Sequence, residues 1–395
     1  MNAKATRLPP HSPAPTTAVI AAVRWDEVFA RNQQVARQLA QRGWDVLYVE
    51  PPVTWLSPLR HLTARRHMRL HSTLRRVPVS TEHVVRVLSL PPSLPFGLRQ
   101  RWLNRQNQRR MADAIAQAAQ GPLVLLSYLP GAVDLIPHLQ PQVVIYDCAD
   151  DHASFPGTHN PNLVRRLEAE LTAASHAVFA TAHNLADRLR RLRPDVMVLP
   201  NAAEVDRFRR AETLSPHPML DHIPTPRVGF VGGIGAWVDQ SYIASLAALC
   251  PNCQIVLIGP ALTDVSRLRR IANVHLLGPQ PYPELPRFLA GFTATLFPFV
   301  PSPLTESVNP VKVYEYIAAG REVIATPNRE TAAMERLLWL AASPAEAAAA
   351  LGRILTGEKR CRGPLREQFL AENSWAERVD VIEQAIRVHL ATALS

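Results

Sequence analysis

The sequence predicts an α/β chain built from two doubly wound, parallel-sheet domains, and three observations lead there. Apolar, strand-like runs alternate with helix-period segments from residue 17 onward. A stretch with four prolines and no hydrophobic period, 209–227, interrupts that alternation, and it resumes at Arg227. At 395 residues the chain is also longer than one ordinary core accommodates, which favours two domains. With 47% hydrophobic and 19% charged residues, the composition is that of a core-forming protein and not of a disordered one.

The elements follow in order. Residues 1–16, MNAKATRLPPHSPAPT, are proline-rich and lack an apolar h-region, so they read as a disordered tail and not as a secretion signal. TAVIAAV (17–23) is a strand, QQVARQLAQRG (33–43) a helix with a glycine stop, and WDVLYVE (44–50) a second strand. That βαβ unit implies parallel pairing. HVVRVLSL, a long polar helix over about 98–119, then LVLLSYL, VVIYDCAD, AVFAT and VMVLP complete an N-terminal Rossmann-like domain assigned to 17–215. A second such domain, 216–373, runs through RVGFVGG, SYIASLAALC, QIVLIGP, VHLLGP, ATLFPFV, VKVYEYIAAG and EVIATP. The segment 374–395 opens with SWAERVDVIEQAIRVHLA, a helix with apolar residues at helical spacing, expected to pack back on one or both domains. No run of some 18 apolar residues is present, so nothing spans a membrane and a cytoplasmic location is expected.

Four cysteines are too few and too scattered for a disulfide framework, and the Cys250–Cys253 pair lies at a helix-to-strand junction, where small buried apolar side chains are expected. The net charge is +10, yet only Lys4, Lys312 and Lys359 are lysines. A nucleic-acid binder would need aromatic platforms or a reading helix among its arginines, and neither pattern is found.

Ligands of open parallel sheets bind beyond the carboxyl ends of the strands, so residues just after strands matter most. The richest such stretch is NPVKVYEYIAAGREVIAT, 309–326: strand, loop, helix, glycine stop and strand, with Lys312 and Glu315 in the helix's opening turns. A helix N-terminus offers unpaired amides and about half a positive charge to a phosphate. Lys312 either adds a compact cation there or is solvated, and Glu315 either accepts hydrogen bonds from ribose hydroxyls or is an ordinary carboxylate of a helix N-terminus. In the first domain VVIYDCADDHASF ends a strand in Asp147, Asp150, Asp151 and His152. Asp150 or Asp151 is suited to accept a hydrogen bond from an acceptor hydroxyl; the alternatives are loop capping by aspartates and a metal held by the carboxylates with His152. The loop GGIGAWVDQ either lets Gly232 and Gly233 admit a phosphate to the backbone or is an ordinary tight turn.

The stretch 309–326, the ordered segments of 227–326 before it and the SWAER start of the last helix together resemble retaining glycosyltransferases of the GT-B fold, family 4 or "group 1" type. RWDEVFARNQQ after the first strand and the YDC and DD residues at 146–151 resemble a bacterial exopolysaccharide or cell-envelope subgroup. The resemblance implies two Rossmann-like domains facing across a cleft, a nucleoside-diphosphate sugar as donor, a polysaccharide or lipid-linked acceptor, retained configuration, and neither cofactor nor metal. It implies acceptor-side roles for Trp25, Arg31 and Asn32, with an N-cap role for Asn32 as the alternative. The catalytic candidates remain Asp150, Asp151 and His152, from their place at the strand end. Two departures from the family pattern stand out. Glu315 fits the second of the family's two spaced glutamates, but Ser307 stands where the first belongs and Glu306 is one residue off. The loop at 232–235 also lacks the usual cations, so donor binding falls to Gly232, Gly233, Ser307, Asn309, Val311, Lys312 and Glu315, including the amides of 308–311. A transferase that has lost turnover and a sugar-nucleotide epimerase are the alternatives.

A basic surface is expected on the first domain. Arg60, Arg65, Arg66, Arg69, Arg75 and Arg76 precede Arg99, Arg101, Arg105, Arg109 and Arg110, with Leu59, Leu62, Met68, Leu70, Phe96, Leu98, Trp102 and Leu103 interleaved. Such a surface is either a solvated arginine face or a contact for an anionic leaflet, where each cation contributes about 1 kcal/mol. The second reading suits a lipid-linked acceptor and a peripheral position at the inner membrane face.

Overall fold

The computed structural model describes residues 14–27, 29–55, 71–95, 97–155 and 157–393. Most of the tail and the first four arginines of the basic surface, Arg60 to Arg69, lie outside the described residues, as do Leu59, Leu62, Met68, Leu70 and Phe96. The chain forms two compact units, one of residues 1–199 and 379–395, the other of 200–378. The division falls before the proline-rich stretch because Ala203, Phe208 and Ala211 are buried in the second unit's core.

Among the described residues the first unit's sheet has eight strands: β1 (Thr16–Ile20), β2 (Asp45–Val49), β3 (Thr73–Pro78), β4 (Val84–Ser89), β5 (Leu123–Ser127), β6 (Val143–Cys148), β7 (Ala177–Ala180) and β8 (Met197–Val198), in the order β3-β4-β2-β1-β5-β6-β7-β8. All neighbours are parallel except β3, which pairs antiparallel with β4 at the edge. β1, β5 and β6 are buried along their whole length, as expected for parallel strands covered on both faces. One face packs Leu47, Leu125 and Tyr146 under the helices Arg101–Ala118 and Pro161–Ala174, and the other packs Val35 and Leu39 of the helix Arg31–Gln41. The last helix, Trp375–Ala393, adds Val379, Ile382, Ile386 and Leu390 to that second face. Arg42 to Asp380 at 2.7 Å and Trp44 Nε1 to Glu383 at 3.1 Å hold it there.

The second unit carries six parallel strands among the described residues: β9 (Arg227–Val231), β10 (Gln254–Ile258), β11 (Val274–Gly278), β12 (Ala294–Phe297), β13 (Glu322–Ala325) and β14 (Leu338–Leu340). Their order, β11-β10-β9-β12-β13-β14, reverses direction between β9 and β12, where a doubly wound sheet opens a crevice for ligand. Two close approaches fix this edge. Gly259, at φ +141°, lies so near the turn after β9 that a Cβ would sit 1.9 Å from the Gly232 carbonyl oxygen. Gly320, at φ +67°, ends the helix Val311–Ala318 in the left-handed conformation that glycine adopts without strain.

Candidate functional site

The helix Val311–Ala318 begins directly behind the loop that follows β12, one of the two strands at the crevice. Its N-cap is Pro310, which makes no side-chain cap; the Val313 amide donates to the Pro310 carbonyl at 2.9 Å, and the amides of Val311 and Lys312 are left to another partner. Lys312 and Glu315 meet there: Nζ lies 2.7 Å from Oε2, while Tyr282 donates its hydroxyl to Oε1 at 3.1 Å. The ammonium also sits 5.6 Å from the centre of the Tyr282 ring, and Arg207 lies 5.4 Å from that same ring. Burial, and next the Glu315 charge, push the Tyr282 phenol well above its ordinary range, so it stays a donor. The outcome is a carboxylate only 4% exposed, held by two donors, with a lysine beside the helix start. Tyr282 carries no sequence signal beyond its place in the turn after β11 and was not among the expected residues.

The other expected donor residues divide. Asn309 is 4% exposed, and its carboxamide is committed inward: Oδ1 accepts from the Asn201 amide at 2.8 Å, and Nδ2 donates to Tyr314 at 3.1 Å and Glu330 at 3.0 Å. Its side chain therefore fastens the loop and does not face a sugar. Ser307 donates to the Pro303 carbonyl at 3.0 Å. Val311 opens the helix, so its contribution is an amide. Gly232 donates its N–H to Ile258 at 2.8 Å, and Cβ atoms at Gly232, Gly233 and Gly235 would meet Phe230, Leu262 and Trp237 at 3.1, 3.0 and 2.6 Å. Internal packing thus accounts for these glycines, the tight-turn alternative.

In the first unit, the carboxyl end of β6 carries a layered ionic network. Asp147 is wholly buried and bound by Arg31 Nε at 2.7 Å, beside the buried Tyr128 hydroxyl, whose pKa burial and the Asp147 charge push far up. Arg31 is therefore not an acceptor contact. Asn32 accepts from the Ala22 amide at 2.9 Å and is 4% exposed, while Ala30 is the helix N-cap, so neither expectation for Asn32 holds. Trp25 packs edge-on against Tyr48 at 4.9 Å, and its amide donates to Glu50 at 3.0 Å.

Asp150 and Asp151 sit in different surroundings. Arg165 at 2.7 Å and Ser154 at 2.9 Å bind Asp151. Burial opposes its ionisation, but those hydrogen bonds prevail and hold its carboxyl below the usual range. Burial raises Asp150 instead, with His152 opposing and Asp151 reinforcing the shift. The loop is anchored from below by Glu168, which binds Arg188 and accepts from Tyr146 at 3.0 Å. His152 Nε2 lies 2.9 Å from the Tyr128 carbonyl, which only accepts, so Nε2 carries the proton and Nδ1 is the basic nitrogen in neutral His152. Among the described residues no group of three His, Cys, Asp or Glu side chains is placed to hold a metal ion. The cysteine pair also packs as apolar matter: both thiols are free, and burial pushes Cys253 up to about 12.

A cavity of about 610 Å³ opens within the first unit, at the carboxyl ends of β1, β2 and β5. His152 stands in its wall with Leu98, Asn104, Met111 and Leu129. Sequence patterning missed it because the cavity arises where separate loops converge. Of the basic surface, Arg75 pairs with Asp26 at 2.6 Å, Arg101 binds Glu170 and Asp134, and Arg105, though exposed, lies 3.7 Å from Asp134; Arg76, Arg99, Arg109 and Arg110 are exposed as well.

Residues 225–357 match the family described as "Glycosyl transferases group 1". A relative from Bacillus subtilis (strain 168), named a putative teichuronic acid biosynthesis glycosyltransferase TuaH, is 26% identical over 338 residues, 80% of this chain and 82% of its own. Among solved structures, the α,α-trehalose 6-phosphate synthase of Burkholderia multivorans aligns with a TM-score of 0.68 at 11% identity, covering 97% of this chain and 98% of that one. Anabaena Alr3699/HepE, solved in complex with UDP and glucose, aligns at 0.61 and 12%, covering 94% and 98%. The fold is thus GT-B, with two Rossmann-like units. That family match falls within the second unit, and the chain is an enzyme of the glycosyltransferase class.

Proposed function

We propose that this glycosyltransferase moves a sugar from a UDP-linked donor, with retention of configuration, to a glycan or lipid-linked acceptor in cell-envelope polysaccharide synthesis. One observation carries the donor half: an uncapped helix start behind a crevice strand, with Lys312 and a doubly held Glu315 in its opening turns. The HepE structure holds UDP, and the Bacillus relative is named for a cell-envelope polymer; both support the choice.

The chemical task is to stabilise the diphosphate as the glycosidic bond breaks. The helix-start amides, the dipole and Lys312 are preorganised donors for that charge. Glu315, kept aimed by Tyr282, accepts from the ribose hydroxyls. No metal is needed in this scheme, because fixed positive charge already faces the phosphates. In the first unit Asp150, and not Asp151, is assigned to accept the acceptor's hydroxyl proton: its raised pKa suits a base, while Asp151 is held by Arg165 and Ser154. His152 supports the same role through Nδ1. The enzyme is placed in the cytoplasm at the inner membrane face, with Arg76, Arg99, Arg105, Arg109 and Arg110 toward anionic lipid. Among the described residues no helix is long and apolar enough to cross a membrane.

A binding test separates the parts. Glu315→Gln is expected to weaken both UDP and uridine by about tenfold or more, the value of a hydrogen bond to a charged acceptor. Unchanged uridine affinity contradicts the ribose assignment.

One observation favours a second reading, a GT-B protein that binds donor without efficient turnover. Ser307, at the place of the family's first glutamate, is bonded to Pro303, and the Asn309 side chain is turned inward. Product analysis with UDP-sugars and lipid-extracted acceptor decides between them.

A further inference from the structure

The first-unit cavity is built unlike a sugar site. Among the described residues no Trp, Tyr or Phe ring lines it. Several of its polar groups are bonded within the protein, while Gln108 Oε1 is buried without a hydrogen-bond partner among the described residues. Glu50, a carboxylate in its wall, binds Arg24 at 2.6 Å and Ser89 at 2.7 Å. Asn104 donates to Gly131 at 3.0 Å and Asp134 at 2.7 Å, and Asn107 exchanges two hydrogen bonds with the Leu94 backbone at 2.8 and 3.0 Å. His152 and Thr158 are bonded to the Tyr128 and His152 carbonyls. Much of the rest of the wall is aliphatic: Val49, Leu94, Leu98, Met111, Leu129 and Val164.

The mouth adds a second, independent observation. Leu98, 46% exposed, and Arg99, also exposed, belong to both the cavity wall and the outer surface. Trp102, 62% exposed, and the exposed Arg105 follow on the helix Arg101–Ala118. An indole and a leucine between arginines are what a bilayer interface with anionic headgroups accommodates.

Resting on the transferase function proposed above, we propose that this cavity takes the single hydrocarbon chain of a phosphate-bearing lipid acceptor, its phosphate at the arginines of the mouth. The acceptor is then lipid-linked and not a free polysaccharide.

The test uses the full chain and monoalkyl phosphates of six to twelve carbons below their micelle concentrations, with farnesyl phosphate as the prenyl arm and lysophosphatidate as the acyl arm. Affinity is expected to rise about fourfold per added methylene until the cavity is filled. Leu129→Trp, which fills the cavity from its half-buried rim, is expected to abolish that chain-length dependence while leaving UDP affinity unchanged. Should Leu129→Trp fail to fold, Leu98→Glu at the exposed mouth is expected to weaken the twelve-carbon phosphate at least tenfold. A chain-length dependence that survives in a folded variant overturns the proposal, as does displacement of alkyl phosphate by soluble oligosaccharides. Absence of UDP binding in the wild type would instead sink the donor assignment, leaving the cavity result to be read on its own.

Discussion

Lys312→Met removes one ammonium and keeps most of the aliphatic stem that lies beside Tyr282. In the free protein that ammonium is 2.7 Å from Glu315, and its side chain is 23% exposed. A unit charge 4 Å from a phosphate charge is worth about 4 kcal/mol at an effective dielectric of 20, before desolvation and before the lysine's bond to Glu315 is shared out. The net value of a charge-assisted hydrogen bond is about 1.5–3 kcal/mol. Taking about 2 kcal/mol, the UDP dissociation constant is expected to rise about thirtyfold. Uridine, which has no phosphate, is expected to bind within about twofold of wild type, because Tyr282 still holds Glu315. Calorimetric titration of UDP and uridine at two salt concentrations reads both values, and a thermal melt confirms the fold. Equal losses for UDP and uridine, or no loss for UDP, would refute a phosphate contact by Lys312.

Tyr282→Phe deletes the 3.1 Å hydrogen bond to Glu315, so steady-state kinetics are expected to show donor KM up by about fivefold, near 1 kcal/mol, with kcat little changed. Asp150→Asn is expected to lower kcat by about a hundredfold or more at constant donor KM, and to remove the limb of the pH profile that rises as the raised Asp150 carboxyl ionises. Asp151→Asn acts on stability instead. The native Asp151 carboxyl lies below its unfolded value, so its contribution is present above the ordinary carboxylate range and lost as pH falls through the lowered native value; urea unfolding at neutral and acid pH measures both. Gly259→Ala places a Cβ 1.9 Å from the Gly232 carbonyl oxygen at φ +141°, and a loss of about 2 kcal/mol or more is expected, visible as a lower melting temperature.

The fold was legible because buried parallel strands read as unbroken apolar runs: VVIYDC and ATLF announce β6 and β12 directly. The glycine stop at Gly320 and the helix before it were equally plain, since periodicity and left-handed φ are local properties. β14 was missed, as three residues carry too little pattern. The site was legible only where chemistry is local. Lys312 and Glu315 lie one turn apart and meet as their spacing implies. Arg31 and Asn32 were misassigned because their partners, Asp147 and the Ala22 amide, are long-range choices that a linear pattern does not encode. Tyr282 and the Glu168 network escaped for the same reason. The adjacent aspartates looked equivalent in sequence, and only the placement of Arg165 and Ser154 tells them apart.

The most direct measurement is the crystal structure of this chain soaked with UDP. The account expects the pyrophosphate against the amides of Val311 and Lys312 with Lys312 Nζ turned from Glu315 toward it, and the ribose within hydrogen-bond reach of Glu315. Nucleotide density elsewhere, or a ribose out of reach of that carboxylate, contradicts it.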